Sequence, residues 1–161
     1  TPETEAQARG SQFFPIIYGL IHALVDATTV AVIFQTRSFH HLDRSAGIFL
    51  ILAYDLLAFA GQTPLGWLLD RLRLWRGTAV GGIIICAAAM ASVRVDPLTA
   101  MILASIGNAA FHVGGGALVL HADPGRATPA GIFVAPGALG LALGVYFGKG
   151  GPLPAWPYYL L

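Results

Sequence analysis

Five long apolar stretches separated by short polar segments dominate the sequence and restrict what it can fold into. They run from about residues 13–34, 45–69, 78–93, 97–120 and 128–147. Because a helix rises about 1.5 Å per residue, about 20 apolar residues cross the roughly 30 Å hydrocarbon core of a bilayer. The pattern therefore predicts an all-α membrane protein with five transmembrane helices, and the lipid bilayer is the first expected partner.

The composition supports this prediction and argues against several other classes. Hydrophobic residues make up 56% of the 161 residues and charged residues only 11%, whereas about a quarter of the residues in ordinary soluble domains are charged. The formal net charge is +1 and no basic tract could follow a phosphate backbone, so we expect no nucleic-acid partner. A single cysteine, Cys86, excludes an internal disulfide and a cysteine-based metal cluster.

The two ends of the sequence differ from the apolar region between them. Residues 1–12 are polar and lack the features of a signal peptide, so we interpret them as a polar tail before a transmembrane domain of residues 13–161. From about residue 153, proline and interfacial aromatic residues are typical of a helix that enters a membrane. We expect the start of a sixth span there, with the chain ending before this helix could cross.

Polar side chains interrupt the predicted spans, although a charged side chain at a span centre costs about 2.5–3.5 kcal/mol. His22 and Asp26 lie four residues apart in the first span, and Asn108 and His112 have the same spacing in the fourth, so each pair shares a helix face. Asp55 lies in the middle of the second span. The cost predicts a common polar interior, which is either a pathway for substrate or protons or a hydrogen-bonded network that only locks the helices together.

Glycines in the fifth predicted span indicate close helix packing. Gly137, Gly140 and Gly144 lie in this span, and the last two begin a stripe with four-residue steps. Such a stripe lets a neighbouring helix approach closely. We therefore assign these three glycines to helix packing.

No sequence motif predicts an enzyme or a cofactor. A His-Glu-x-x-His motif, a Ser-His-Asp arrangement and a cysteine nucleophile with a matched base are all absent from the sequence. His40 and His41 could ligate a metal ion, but no partner cluster accompanies them, so we interpret them as solvated loop residues. We predict no enzymatic activity, no metal site and no cofactor.

The segment between the second and third spans carries a recognisable motif. Gly66-Trp-Leu-Leu-Asp-Arg71, followed by Arg73, resembles the Gly-x-x-x-Asp-Arg signature of the major facilitator superfamily at that loop. In such a motif glycine lets two helices approach, and Asp70 with Arg71 would form a gating latch between two conformations. The signature's later glycine is replaced, because Leu72 and Arg73 follow Arg71.

Further runs resemble one branch of that superfamily, the fosmidomycin-resistance-type efflux proteins. They are His22-Ala-Leu-Val-Asp26, Tyr54-Asp-Leu followed by Gln62, Gly107-Asn-Ala-Ala-Phe-His112 and Pro124-Gly-Arg126. Their order and spacing are similar from about residue 14 to residue 156. Val113 stands where the family usually has proline.

The resemblance implies a transporter made of two six-helix halves, of which this chain would be the N-terminal half bundle. The second half would be the same chain continued, a second copy in a homodimer, or another membrane subunit. We expect a proton-coupled antiporter of a bacterial inner membrane that exports a small organic molecule by alternating access. Asp26 and Asp55 would carry protons or contact substrate, and His22 and His112 would tune or relay. Asn108 would belong to the same group of residues for proton coupling or substrate.

A second hypothesis belongs to a different class. The chain would be a non-transporting, half-length membrane subunit with a structural role in a larger membrane complex. The absent second half and the replaced positions at Leu72 and Val113 motivate this alternative.

Overall fold

The computed structural model describes residues 2–150, with side chains described from residue 13 onward, and this part of the chain is helical without strands. Its helices are α1 (Pro2–Phe39), α2 (Arg44–Asp55), a π-helical turn (Leu56–Ala60), α3 (Gln62–Leu72), α4 (Trp75–Ser92), α5 (Pro97–Ala122) and α6 (Thr128–Lys149). Helix α1 begins at Pro2, so the expected polar tail continues the helix of the first span. The expected start of a sixth span, from about residue 153, lies outside the described residues.

Five helical segments are long and apolar enough to cross a membrane, and the sequence-based prediction of five is confirmed on this measure. They are Phe13–Phe39, Arg44–Leu72, Trp75–Ser92, Pro97–Ala122 and Thr128–Lys149. The second of these segments combines α2, the π-helical turn and α3. These findings fit an integral membrane protein.

Helix α5 lies at the centre of the bundle. Its apolar segment is 56% buried, against 17% for the second span. The most extensive helix contacts are those of α4 with α5 and of α1 with α6, and α1 also packs on α5. The apolar segment of α1 is the next most buried, at 44%, so polar residues on the facing surfaces of α1 and α5 are withdrawn from lipid.

Glycines set the distance between the closely packed helices. A Cβ placed on Gly144 of α6 would lie 2.6 Å from the Ala27 carbonyl oxygen of α1, and one on Gly140 would overlap the backbone of Ala23. On the other side of the bundle, a Cβ on Gly107 of α5 would lie 2.8 Å from the Cys86 nitrogen of α4. The backbones of these helix pairs therefore touch directly, as small residues permit within a membrane.

Two apolar cores lie one above the other along the bundle. One contains Val32 of α1 with Ala104 of α5, and the other contains Val25 of α1 with Phe111 of α5. The buried polar residues Asp26 and Thr29 of α1, and Ser105 and Asn108 of α5, occupy the intervening stretches of these helices. The fold thus isolates a polar layer between two apolar ones.

Aspartates fix the helix starts at one end of the bundle. The Asp43 carboxylate accepts a hydrogen bond from the Ala46 N–H at 2.7 Å and caps α2, while Asp96 caps α5 through the Thr99 N–H. The hydrogen bond from Ala46, followed by one from the Ser45 hydroxyl, holds the pKa of Asp43 below its usual range. Capping of this kind satisfies backbone donors that a helix start leaves unpaired.

Candidate functional site

Helices α1 and α5 bring four of the predicted residues into one group, here called the His–Asp cluster: His22, Asp26, Asn108 and His112. The Nε2 atoms of the two histidines lie 2.7 Å apart. Asp26 lies beneath both rings, with Oδ2 3.1 Å from His22 Nε2 and Oδ1 3.5 Å from His112 Nε2. The Asn108 amide nitrogen donates to Asp26 Oδ1 at 3.0 Å.

Burial within the cluster is uneven. His22, Asp26 and Asn108 are buried, with 3%, 4% and 1% of their surfaces exposed. The side chain of His112 is 17% exposed. His112 is therefore the member of the cluster whose side chain is partly exposed to the surroundings.

Backbone carbonyls fix the hydrogen on each ring. His22 Nδ1 lies 2.8 Å from the Phe133 carbonyl oxygen of α6, and His112 Nδ1 lies 2.9 Å from the Asn108 carbonyl oxygen. Because a carbonyl oxygen only accepts, both Nδ1 atoms must carry hydrogen. Both Nε2 atoms are then bare in the neutral rings, and two facing lone pairs repel each other at 2.7 Å.

One additional proton resolves this repulsion. Placed on either Nε2, it forms a hydrogen bond to the other nitrogen and makes one imidazolium. The Asp26 carboxylate then balances that charge, so the cluster as a whole is neutral. A neutral, internally hydrogen-bonded group is the arrangement that burial favours for ionisable residues.

Two residues to which the sequence analysis gave no role in a site extend the cluster towards the second span. The Thr29 hydroxyl donates to the Val25 carbonyl oxygen at 3.0 Å and accepts from Asn108 Nδ2 at 3.3 Å. The Tyr54 hydroxyl lies 2.9 Å from the same Thr29 oxygen and donates to it. Thr29 follows Asp26 by three residues and so shares its helix face, a spacing that could have revealed it.

Asn108 also presents an unused acceptor. Its Oδ1 is buried and has no hydrogen-bond partner among the described residues. The amide cannot turn over, because its oxygen would then face the Asp26 carboxylate that its nitrogen now contacts. A buried acceptor of this kind is available to a donor on a ligand.

Asp55 does not join the cluster. It directly follows Tyr54, but its side chain is exposed on the surface of the second span. Leu52, Leu56 and Phe59 of the same span are exposed as well. The structure therefore separates the two aspartates that the sequence analysis grouped, because Tyr54 and not Asp55 occupies the inward face of α2.

Of the predicted gating residues, Asp70 and Arg71 lie in the last turn of α3 and Arg73 directly follows it, all three exposed, whereas Gly66 lies half-buried in the middle of this helix. No ion pair involves Asp70 within the described residues, so the expected pairing with Arg71 is not seen. Instead the Arg71 guanidinium lies 3.9 Å from the ring centre of Trp67, at cation–π distance. Arg73 adopts a left-handed conformation with φ of 55°, and its N–H donates to the Leu69 carbonyl oxygen at 2.7 Å. The chain therefore turns after α3 at Arg73, without the later glycine of the signature.

Gly137 brings α6 against the cluster. A Cβ at this position would lie 2.7 Å from His22 Nε2 and 2.8 Å from Asp26 Oδ2. The absence of a side chain at Gly137 lets the Phe133 carbonyl, one turn earlier on α6, reach the His22 ring. Of the three glycines assigned to helix packing, Gly137 contacts the functional residues, whereas Gly140 and Gly144 contact the α1 backbone.

The ligand atoms of His22, Asp26 and His112 all lie within 4.8 Å of one another, so their fit to a metal ion can be tested. Zinc ligands lie at about 2.0–2.1 Å from the ion, which in tetrahedral geometry separates two nitrogens by about 3.3 Å. The observed 2.7 Å is shorter and matches a hydrogen bond. His40, considered as a ligand from the sequence, donates instead to the Val93 carbonyl oxygen at 2.9 Å.

Comparison with known proteins gives no relative for this chain. No protein-family model, curated protein or solved structure matches it.

Proposed function

We propose that the chain is part of a membrane transporter of the major facilitator type that exports a small organic molecule in exchange for protons. The observation that carries the proposal is the buried His–Asp cluster, whose two Nε2 atoms face each other at 2.7 Å. A proton is the cation that this geometry accommodates without movement. The cluster would be the coupling site.

The position of the cluster suits a carrier. Its members come from α1 and α5 and are held by a carbonyl of α6, so a small separation of these helices would break the hydrogen bonds to Asp26 and expose the proton. Alternating access requires such a group, which is enclosed in one conformation and open in another. The exposed edge of His112 supplies the exchange route.

The substrate would meet the same polar layer. Asn108 Oδ1 is a buried acceptor without a partner among the described residues, and a hydroxyl or amine of a small organic molecule would satisfy it. Binding next to Asp26 would then compete with the imidazolium for the same carboxylate. Competition of this kind is what couples the two movements in an exchanger.

Transport by the reconstituted protein tests the proposal. Proteoliposomes that contain a pH-sensitive dye receive an imposed pH gradient, with fosmidomycin as the first organic probe because of the sequence resemblance. We expect Asp26→Asn and His112→Gln to abolish probe-dependent proton movement. The control His41→Asn changes an exposed loop histidine whose positive φ of 50° asparagine tolerates. Unchanged coupling in Asp26→Asn would refute the proton role.

The structural-subunit hypothesis has one observation in its favour, the exposed Asp55 among large apolar side chains of the second span. Such an acid needs a polar neighbour in a membrane. If the chain is a structural subunit, Asp55→Leu should abolish co-purification of a membrane partner while leaving the fold intact. If it is a transporter, Asp55→Asn should change the transport rate without changing the set of co-purifying proteins.

A further inference from the structure

A basic cavity lies at the end of the bundle opposite the capping aspartates. It has a volume of about 520 Å³ and lies between the first turn of α4 and the last turns of α5, with Phe14 of α1 beside it. Phe14 is near the start of the first span, Trp75 begins the third and Ala122 ends the fourth. The cavity therefore lies where the spans reach the membrane surface.

Two arginines line this cavity without an acidic partner. Arg73 and Arg76 are exposed, and neither makes an ion pair within the described part of the chain. Two other arginines at this end are occupied, since Arg126 lies 3.5 Å from Asp123 and Arg71 stacks on Trp67. The described lining includes two arginines and no carboxylate, so positive charge predominates in it.

The backbone adds to the same field. Helix α4 begins at Trp75, and no side chain caps its first turn. Gly77 lines the cavity, and a Cβ there would meet nothing within 4 Å, so an anion can approach the helix start closely. The N-terminus of a helix presents free N–H groups and the positive end of the helix dipole.

Trp75 contributes a second unused donor. Its indole Nε1 is buried and has no hydrogen-bond partner among the described residues. The ring is stacked on His121, with ring centres 3.9 Å apart, so its position is fixed beside the cavity. The guanidinium groups and the uncapped helix start therefore line the cavity as donors without acceptors, and the indole N–H is an unpaired donor buried in a residue of the same lining.

We propose that this cavity binds a phosphate group. Guanidinium donors and helix N-termini both recognise tetrahedral oxyanions. The location favours the phosphodiester of an anionic phospholipid, because such headgroups are concentrated where the spans end. A soluble phosphate compound offers the same chemistry, and the experiment below separates the two sources. The inference does not depend on the proposed transport function.

Lipid binding to the purified protein provides the test. Native mass spectrometry would count bound lipid after addition of phosphatidylglycerol, with phosphatidylcholine and inorganic phosphate as separate arms. The variants are Arg73→Asn, because asparagine tolerates the left-handed conformation there, and Arg76→Gln. Arg126→Gln is the matched control, since it removes an already paired arginine from the same end.

Each cavity arginine should contribute about fivefold to phosphatidylglycerol affinity, and the double variant should lose about 25-fold. Gly77→Leu should also weaken binding without a charge change, because the side chain would fill the approach to the helix start. Stronger retention of phosphatidylglycerol than of phosphatidylcholine supports a headgroup site. Binding of inorganic phosphate at millimolar concentration without lipid, if it is lost in the same variants, supports a site for a soluble phosphate.

Three results would overturn the inference. They are equal binding by the parent and the double variant, an Arg126→Gln loss as large as that of the cavity arginines, and unchanged binding in Gly77→Leu. The last two results would show that lipid binding depends only on the overall positive charge at this end of the bundle. A melting curve for each variant establishes that the compared proteins are folded.

Discussion

Substitution of Gly137 by alanine should disturb the His–Asp cluster from the α6 side. The new methyl carbon would lie 2.7 Å from His22 Nε2 and 2.8 Å from Asp26 Oδ2, which is about 0.7 Å short of ordinary contact. The His22 ring cannot move freely, because Phe133 holds its Nδ1 and His112 holds its Nε2. We therefore expect α6 to move outward or the hydrogen bond between the histidines to lengthen.

Two opposing effects set the change in the free energy of unfolding. Forcing a methyl group into a packed site costs about 1–3 kcal/mol, whereas alanine is favoured over glycine inside a helix by about 0.5–1 kcal/mol. The overpacking is the larger effect, so the free energy of unfolding should fall by about 1 kcal/mol. For a chain of this size that lowers Tm by about 2–4 °C.

Gly131→Ala on the same helix is the matched control, because a Cβ there meets nothing within 4 Å. It gains the helical preference without the clash and should melt at or above the parent temperature. Thermal melting in detergent, followed by tryptophan fluorescence, compares the two variants, and the transport assay reports the effect on coupling. If Gly137→Ala melts as high as Gly131→Ala, the described contact between α6 and the His22 ring is wrong.

Three further outcomes are expected. Tyr54→Phe should lower the free energy of unfolding by about 0.5–1.5 kcal/mol in a denaturation assay, because it removes the hydrogen bond to Thr29; no change would contradict that bond. Because the pKa of Asp43 is lowered in the folded protein, its stabilising effect is present above the unfolded pKa and is lost as the pH falls through the folded one. The Tm difference between the parent and Asp43→Ala should therefore be seen at pH 6 and disappear in strong acid, and a difference that persists there would refute the cap. Finally, addition of Co²⁺ to the protein should produce no absorption band of tetrahedral Co²⁺, because the two Nε2 atoms are too close to share a metal ion. A band that appears in the parent and is lost in His112→Gln would show that the cluster opens to hold a metal ion.

The sequence predicted the spans because their signal is local. Apolar runs of about 20 residues and prolines at their ends are visible without knowledge of tertiary contacts. The i, i+4 spacing likewise placed His22 with Asp26, and Asn108 with His112. That the two pairs would meet each other depends on which helices pack together, and this choice is made by contacts distant in the chain.

Other parts of the site had no sequence signal. The acceptor for His22 Nδ1 is the backbone carbonyl of Phe133, and any residue type supplies a carbonyl. The turn at Arg73 forms without glycine because the strain of one left-handed residue is small enough for the surrounding helices to impose. Tyr54 was read as part of a motif with Asp55, and only the rotation of α2 in the bundle shows which of the two points inward.

The contrast between the two membrane aspartates bears on what surrounds the bundle. Asp26 and Asp55 both interrupt apolar spans, so insertion of either is costly. Asp26 offsets the cost with a donated hydrogen bond from Asn108 and contacts to two imidazoles. Asp55 is exposed beside Leu52 and Leu56, and lipid tails offer it no donor. The same cost that favours an enclosed, hydrogen-bonded position for Asp26 therefore requires a polar environment outside the second span. We expect either a second membrane unit or an aqueous pathway to lie against this face.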